Sequence, residues 1–218
     1  MLELIKKYKS GFILYDLVLI AGIILVLAIP KLQLHLLMNN NHTDVLDVFF
    51  KSVTWLGDGW FAVVFSLCFL FLRFRYFLML FLSFSISGLI AQFLKRIVFS
   101  GALRPAAFLD QMPGIDTVAG VELHHTMSFP SGHTTTAFAV LLLAGLIFRN
   151  RMVFLTGIIL SWAVAVSRVY LSQHFLADVL AGSVLGTLSA LFFYWYFQGL
   201  KPEWLDRSIL TIFKDRKK

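Results

Sequence analysis

Cysteine is nearly absent from the sequence. Cys68 is the one cysteine among 218 residues, and it lies in an apolar run. A single cysteine excludes a disulfide framework within one chain and a metal site built from several thiolates. The same scarcity leaves open whether the chain works in an oxidising or a reducing compartment.

Charge is also scarce. Charged residues make up 14% of the chain, whereas 59% of the residues are hydrophobic and the mean hydropathy is +0.81. Soluble domains carry about a quarter charged residues. The composition therefore argues against soluble domains and predicts one all-α, membrane-embedded domain over residues 1–218. No internal repeat or low-complexity linker divides the chain.

The net charge of +7 does not indicate a nucleic-acid partner. Nucleic-acid surfaces combine a basic stripe with interleaved aromatic residues, and the sequence has no such stripe. Its basic residues instead form short clusters between apolar runs, where membrane proteins place them to set topology. We therefore expect a membrane and its lipids as partners, and no nucleic acid; the oligomeric state is not predicted.

Apolar runs of near twenty residues, the length that crosses a bilayer core as a helix, recur along the chain. They predict a bundle of six transmembrane helices, at about 12–30, 57–73, 76–96, 134–149, 152–170 and 175–197. The first run follows lysines, as a signal peptide does. It is too long for one and lacks an A-x-A cleavage site, so we interpret it as a retained anchor.

The distribution of Lys and Arg predicts that both termini are cytoplasmic, because this orientation puts most of the 19 basic residues on the inner side. Six basic residues would remain outside: Lys31, Lys51, Lys95, Arg96, Arg104 and Arg168. The last four of these flank the outer ends of predicted spans. An anion bound at the outer face would explain why they are there.

Polar residues between the last two predicted spans suggest a nucleophile. Ser172 can cap a helix that starts at Gln173, which would place His174 in the first turn, where the helix dipole favours neutral imidazole. Asp178, four residues on, lies on the same helix face and can fix the tautomer of His174. Arg168 offers a planar fork that suits phosphate. A purely structural His–Asp pair at a helix end is the alternative.

A second polar stretch opens the fourth predicted span. Pro130 and Gly132 shape a turn, Ser131 can cap the helix, and the exposed amides form an anion cradle. His133, in the first turn, could donate a proton to a leaving oxygen. Taken alone, the stretch also fits a helix cap with an incidental histidine.

Residues near these stretches are less decisive. Arg104 precedes Pro105 and is therefore expected in an extended segment, from which it could reach the site together with Lys95. Both cations could instead snorkel to the interface. His124 and His125 are interpreted as solvated loop residues, because nothing nearby has zinc-ligand spacing.

Together, three cations, two helix N-termini and two histidines are predicted to converge on one membrane face. This set fits phosphoryl transfer, in which cations surround the phosphate oxygens, a nucleophile attacks in line and an acid stands behind the leaving group. Such a site needs no metal, and we expect no cofactor.

These residues resemble the three signature motifs of the type 2 phosphatidic acid phosphatases, integral membrane lipid phosphatases that share a helical core with vanadium haloperoxidases. The motifs are Lys95 with Arg104-Pro105, Pro130-Ser131-Gly132-His133, and Ser167-Arg168 with His174 and Asp178. The second and third match residue for residue. The first has two more residues between lysine and Arg-Pro than the family pattern, so either Lys95 or Arg96 could supply its cation.

The resemblance implies a role for each residue. His174 would attack phosphorus to form a phosphohistidine, Asp178 would orient His174, and His133 would protonate the leaving group and later activate water. The phosphate would be held by Lys95, Arg104, Ser131, the Gly132 amide and Arg168. The implied substrate is a lipid phosphomonoester or pyrophosphate, of the phosphatidic acid, phosphatidylglycerol phosphate, undecaprenyl pyrophosphate or lipid A phosphate class.

Other functions stay open at this point. A lipid phosphotransferase could use the same phosphohistidine, and a non-catalytic anion carrier could use the same cations. A carrier is expected to place ionisable groups near mid-membrane, whereas here they collect at one rim. We expect the bacterial inner (plasma) membrane, with the site facing the periplasm or exterior. Residues 106–128 are expected to cover the site, and 43–53 to form a short interfacial helix capped by Thr43.

Overall fold

The computed structural model describes residues 2–215, and within that range the chain is built of helices and connecting loops. The α-helices are α1 (Leu2–Lys7), α2 (Lys9–Ala28), α3 (Lys31–Asn39), α4 (Asp44–Val53), α5 (Gly59–Cys68), α6 (Phe74–Phe93), α7 (Gly132–Ala137), α8 (Leu143–Ile147), α9 (Arg151–Tyr170), α10 (Leu176–Gly199) and α11 (Ile209–Asp215). Short 3-10 turns occupy Thr54–Gly57, Phe69–Phe71, Pro105–Gln111 and Glu203–Asp206, and π-helical turns occupy Leu94–Val98 and Phe138–Leu142. The all-α prediction is confirmed.

Four helical segments of the described chain are long and apolar enough to cross a membrane: Lys9–Ala28, Phe74–Val98, Arg151–Tyr170 and Leu176–Gly199. A fifth candidate is the pair Asp44–Gly57 and Gly59–Phe71, which is bent by 58°. Gly132–Ile147 is apolar but shorter. These segments overlap the six predicted spans, although the predicted second span contains only the second arm of the bent pair. The count of six stays a prediction.

A central helical rod runs from α7 through the π turn into α8, and every residue from 134 to 147 is buried. Small residues on the surrounding helices let it pack closely. A Cβ atom on Gly157 of α9 would lie 2.5 Å from the carbonyl oxygen of Leu141, and one on Gly186 of α10 would lie 2.3 Å from that of Thr135. Close backbone contacts of this kind are typical of helix packing in membranes. They fix the rod, and with it the segment that precedes α7.

The short helix predicted at residues 43–53 is present as α4. Thr43 has an extended backbone, and its Oγ1 accepts a hydrogen bond from the Leu46 amide at 3.2 Å, which satisfies one of the unpaired donors of the first turn. Asp44 and Asp47 lie in that first turn, where the helix dipole favours negative charge. The sequence-based interpretation of Thr43 as the cap is confirmed.

Candidate active site

The turn that carries His174, residues 171–175, differs from the sequence-based prediction. Ser172 does not cap a helix starting at Gln173: its φ is +52°, and α10 begins only at Leu176. The amides of Gln173 and His174 both donate to the carbonyl of Arg168, at 2.9 and 3.0 Å. These bonds close the end of α9 with a tight turn, which delays the start of the next helix. His174 therefore precedes the first turn of α10.

Asp178 has two functions at the start of α10. Its Oδ2 accepts a hydrogen bond from the Phe175 amide at 3.0 Å, so the carboxylate caps the helix from inside its first turn. The same oxygen lies 3.4 Å from Nδ1 of His174, as the spacing of four residues predicts. Ser128 Oγ donates to Asp178 Oδ2 and lies 3.5 Å from Nδ1 of His174. Sequence reasoning missed Ser128.

His174 is neutral and has one ring nitrogen available. The residue is 1% exposed, and burial lowers its pKa to about 3; the nearby Asp178 opposes this shift, and the charges of Arg104 and Arg168 add to it. Neutral imidazole was predicted from a helix dipole, but burial is the main cause. Nδ1 faces Asp178, and Nε2 has no hydrogen-bond partner in residues 2–215. A neutral imidazole with a free Nε2 is a competent nucleophile.

Two buried arginines share one glutamine. Arg104 is extended, as expected before proline, and its Nη1 lies 3.3 Å from Oε1 of Gln173. Arg168 Nη2 lies 3.4 Å from the same oxygen, and its Nη1 donates to Oγ1 of Thr54 at 2.9 Å. The side-chain nitrogen Nε2 of Gln173 donates to the carbonyl of Glu122 at 2.7 Å. Gln173 thus lies between the two guanidinium groups and contacts both. In the sequence, only its position beside His174 could have indicated this role.

One nitrogen of the Arg168 guanidinium group, the buried Nε, has no hydrogen-bond partner among the described residues. A buried guanidinium nitrogen without a partner is costly, and a phosphate oxygen is the acceptor that best fits the guanidinium fork.

The segment before α7, which the sequence predicts as an anion cradle, is held in place by two hydrogen bonds. Ser131 Oγ caps α7 by accepting from the Thr134 amide at 3.4 Å, and the Ser131 amide donates to the carbonyl of Asp178 at 2.9 Å. This second bond ties the cradle to the helix that carries the His174 partner. The amides of Gly132 and His133 stand in the first turn, where a helix offers no acceptors.

Lys95, rather than Arg96, lies at the cradle. Lys95 is 7% exposed, and its Nζ is 3.9 Å from the position that a Cβ on Gly132 would take, whereas Arg96 is exposed. Both residues belong to the π-helical turn Leu94–Val98. A π turn holds one more residue than an α-helical turn, so it absorbs part of the longer spacing in the first motif.

His133 lies where two openings meet. A polar cavity of about 270 Å³ is lined by Lys51, Thr54, Asp58, His133 and Arg168. A larger groove of about 490 Å³ reaches Gly132 and His133 from the other side, between α5 and α6, and includes Phe84, Leu89 and Gly88 in its lining. The Asp58 carboxylate is 3.9 Å from the His133 ring. Sequence reasoning did not identify Asp58.

His124 and His125 are exposed loop residues, as predicted.

Helix α3 braces the His174 turn from behind. His35 Nε2 and Asn39 Nδ2 lie 3.2 and 3.1 Å from Oγ of Ser172. Asn39 Nδ2 also donates to the carbonyl of Tyr170, and Asn39 Oδ1 accepts from the amide of Asp116, at 3.2 and 2.9 Å. These bonds therefore join the turn to residues 106–128, the segment that is expected to cover the site. Across residues 2–215, no three His, Cys, Asp or Glu side chains are grouped to hold a metal ion.

Known proteins similar to this chain include two from bacteria. The Bacitracin transport permease protein BcrC of Bacillus licheniformis is 34% identical over 50% of this chain and 52% of its own length. The Lipid A 4'-phosphatase of Porphyromonas gingivalis is 30% identical over 81% of this chain and 76% of its own. Thus the chain spans about half of the first relative and about three quarters of the second.

A solved structure has the same fold. The transmembrane phosphatidylglycerolphosphate phosphatase of Bacillus subtilis superposes with a TM-score of 0.64 at 27% identity, over 89% of this chain and 98% of its own. A model of the PAP2 superfamily matches residues 75–202, which include all three motifs. The chain therefore belongs to the PAP2 superfamily.

Proposed function

We propose that the chain is an integral membrane enzyme that removes the terminal phosphate of a lipid phosphomonoester or pyrophosphate through a phosphohistidine. The observation that carries the proposal is the environment of His174. Its Nε2 is free, and the charges of Arg104 and Arg168 act on its ring. A neutral nucleophile among cations is the arrangement that phosphoryl transfer needs.

The proposed reaction has two steps. His174 Nε2 attacks phosphorus, the bond from phosphorus to the leaving oxygen breaks, and His133 donates a proton to that oxygen. Neutral His133 then takes a proton from a water molecule that attacks the phosphohistidine and releases phosphate. Asp178 holds His174 in the tautomer with Nδ1 protonated. The phosphate oxygens are bound by Lys95, Arg104, Ser131, the Gly132 amide and Arg168.

The two openings at His133 support a lipid substrate. The leaving oxygen must lie next to the residue that protonates it, and the groove between α5 and α6 reaches that residue from an apolar surface. The polar cavity reaches it from the other side and offers a path for water. A lipid body in the groove and water in the cavity would meet at the same histidine.

Location and topology belong to the same proposal. We place one membrane domain with six spans in the bacterial inner membrane, with both termini cytoplasmic and the site at the outer interface, because this orientation puts most basic residues inside. Reactivity of Cys68, the one cysteine of the chain, toward membrane-impermeant thiol reagents is expected to be low, because it lies in the second predicted span.

Phosphate release by purified protein tests the function. The panel comprises phosphatidic acid, phosphatidylglycerol phosphate, undecaprenyl pyrophosphate and lipid A phosphate, each with and without a chelator. We expect at least one lipid to release phosphate, with no effect of the chelator. His174→Ala is expected to lose turnover by about 10⁴-fold or more and to lose any acid-labile phosphoenzyme.

The result also separates the alternatives. Phosphate release without an added acceptor favours a hydrolase over a phosphotransferase, whereas turnover that depends on an acceptor lipid or sugar reverses that choice. Inhibition by the chelator would contradict the metal-free mechanism. An active His174→Ala variant would overturn the assignment of the nucleophile.

A further inference from the structure

The bend between α4 and α5 carries a carboxylate that belongs to none of the three motifs. Asp58 is the N-cap of α5, and its Oδ1 accepts from the Trp60 amide at 2.7 Å, which fixes the carboxylate in one orientation. The other oxygen, Oδ2, points to the active site and lies 3.9 Å from Nε2 of His133. This separation is an ionic contact and is longer than a hydrogen bond.

The bend is held against the active site at two points. A Cβ atom on Gly57 would lie 2.6 Å from the carbonyl oxygen of His133 and 2.7 Å from a methyl group of Val164, so the bend packs directly on the start of α7. Thr54, in the turn just before, accepts a hydrogen bond from Arg168. The position of Asp58 is therefore set by the same residues that build the phosphate site.

His133 is otherwise surrounded by positive charge. The charged or titratable groups that face it are Lys51, Asp58, Lys95, Arg104, Arg168 and His174. Four of these groups are cations. Burial lowers the pKa of His133 to about 2, and nearby charges, with that of Arg168 first among them, add to this shift, so protonated His133 needs stabilisation. Among residues 2–215, Asp58 is the one carboxylate in ionic contact with His133. The other carboxylate of the site, Asp178, instead contacts His174, Ser128 and the Phe175 amide.

We propose that Asp58 is a positioning residue for the acid–base step, which orients His133 and stabilises its protonated form. The inference rests on the proposed function. Asp58 faces Nε2, so the proton on Nδ1 is the one given to the leaving oxygen as the phosphorus–oxygen bond breaks. In the second step, Nδ1 of neutral His133 takes a proton from the attacking water, and Asp58 again stabilises the resulting cation.

The test is Asp58→Asn, which removes the charge but keeps the cap, because asparagine is an equally good N-cap. The substrates are a lipid from the panel that wild-type protein hydrolyses and p-nitrophenyl phosphate, whose leaving group departs without a proton. We expect the variant to lose about 10- to 100-fold in kcat/KM of the lipid, which covers only the steps up to departure of the leaving group, and much less in kcat/KM of the aryl ester. Asp44→Asn, an exposed acid in α4, is the matched control.

The pH profile provides a second readout. A nearby carboxylate favours protonated imidazole, so its removal should move the alkaline limb of the lipid pH–rate profile to lower pH by about one unit. Asp58→Glu should restore part of the activity. Equal losses of kcat/KM on both substrates, an unmoved alkaline limb or full activity of Asp58→Asn would each overturn the inference. If wild-type protein releases no phosphate from any lipid, the proposed function itself fails.

Discussion

Two histidine–carboxylate pairs form the core of the site, and they are built differently. In the pair His174–Asp178 the side chains are 2% and 7% exposed and the contact is 3.4 Å. In the pair His133–Asp58 they are 34% and 29% exposed and the contact is 3.9 Å. The first pair is closed by Ser128, whereas the second borders a polar cavity and a groove.

The difference matches the chemistry proposed for each histidine. A nucleophile has to keep one tautomer and one orientation, and burial with a fixed carboxylate provides both. An acid–base group has to reach the leaving oxygen in the first step and the attacking water in the second, and it cannot do so from a sealed site. The rigid pair therefore suits the proposed nucleophile, and the open pair suits the proposed acid–base group.

Removing the carboxylate of the closed pair should have the largest effect. Asp178→Asn leaves His174 in the wrong tautomer and is expected to lower turnover by about 10³- to 10⁴-fold with lipid and aryl substrates alike. The measurement is turnover of both substrates by protein whose folding is checked by thermal denaturation. A loss no greater than that of Asp58→Asn, or one confined to the lipid, would contradict the distinction between the pairs.

Ser128→Ala should loosen the orientation of Asp178 toward His174 while both side chains stay buried. The variant removes one hydrogen bond to a buried carboxylate, a bond of about 1.5–3 kcal/mol, and we expect a loss of about tenfold in kcat with little change in KM. Steady-state kinetics with lipid provides the measurement. Ser100→Ala, at an exposed residue, is the control. A kcat equal to that of wild type would show that Asp178 orients His174 without help from Ser128.

The smallest expected effect is on stability. Because burial lowers the pKa of His174 to about 3, the unfolded chain binds more protons than the folded one between that pH and the ordinary value of about 6.5. Stability should therefore fall as the pH falls through this window, by at most about 1.4 kcal/mol per pH unit from this group.

Thermal denaturation at pH 7 and pH 5 measures this contribution. Between these pH values His174→Gln should lose less stability than wild type, and His125→Gln, at an exposed loop histidine, should lose as much as wild type. If His174→Gln loses as much stability as wild type, then His174 is not neutral in the folded protein.

Much of the site could be predicted because its residues lie close together in the sequence. The contact between His174 and Asp178 follows from a spacing of four, and the cap formed by Ser131 follows from the turn before an apolar run. The local start of α10 could not be predicted, since it depends on two amides that return to the carbonyl of Arg168. The prediction of Ser172 as a cap was wrong for that reason.

Contacts between distant segments could not be predicted. Asp58 looks like an ordinary helix cap, and only the 58° bend brings it to His133. Gln173 carries no charge, and its role depends on two arginines from distant segments: Arg168 at the end of α9 and Arg104 before Pro105. The spans were visible in hydropathy. The central rod was placed correctly but is too short to pass as a span by length.

The hydrogen bonds of Asn39 have an evolutionary consequence. Asn39 joins the His174 turn to Asp116, yet it lies outside residues 75–202, the region that the family model matches. Thr54 and Asp58 lie outside that region as well. A chain could therefore keep every signature motif and still differ in the residues that support the His174 turn and face His133.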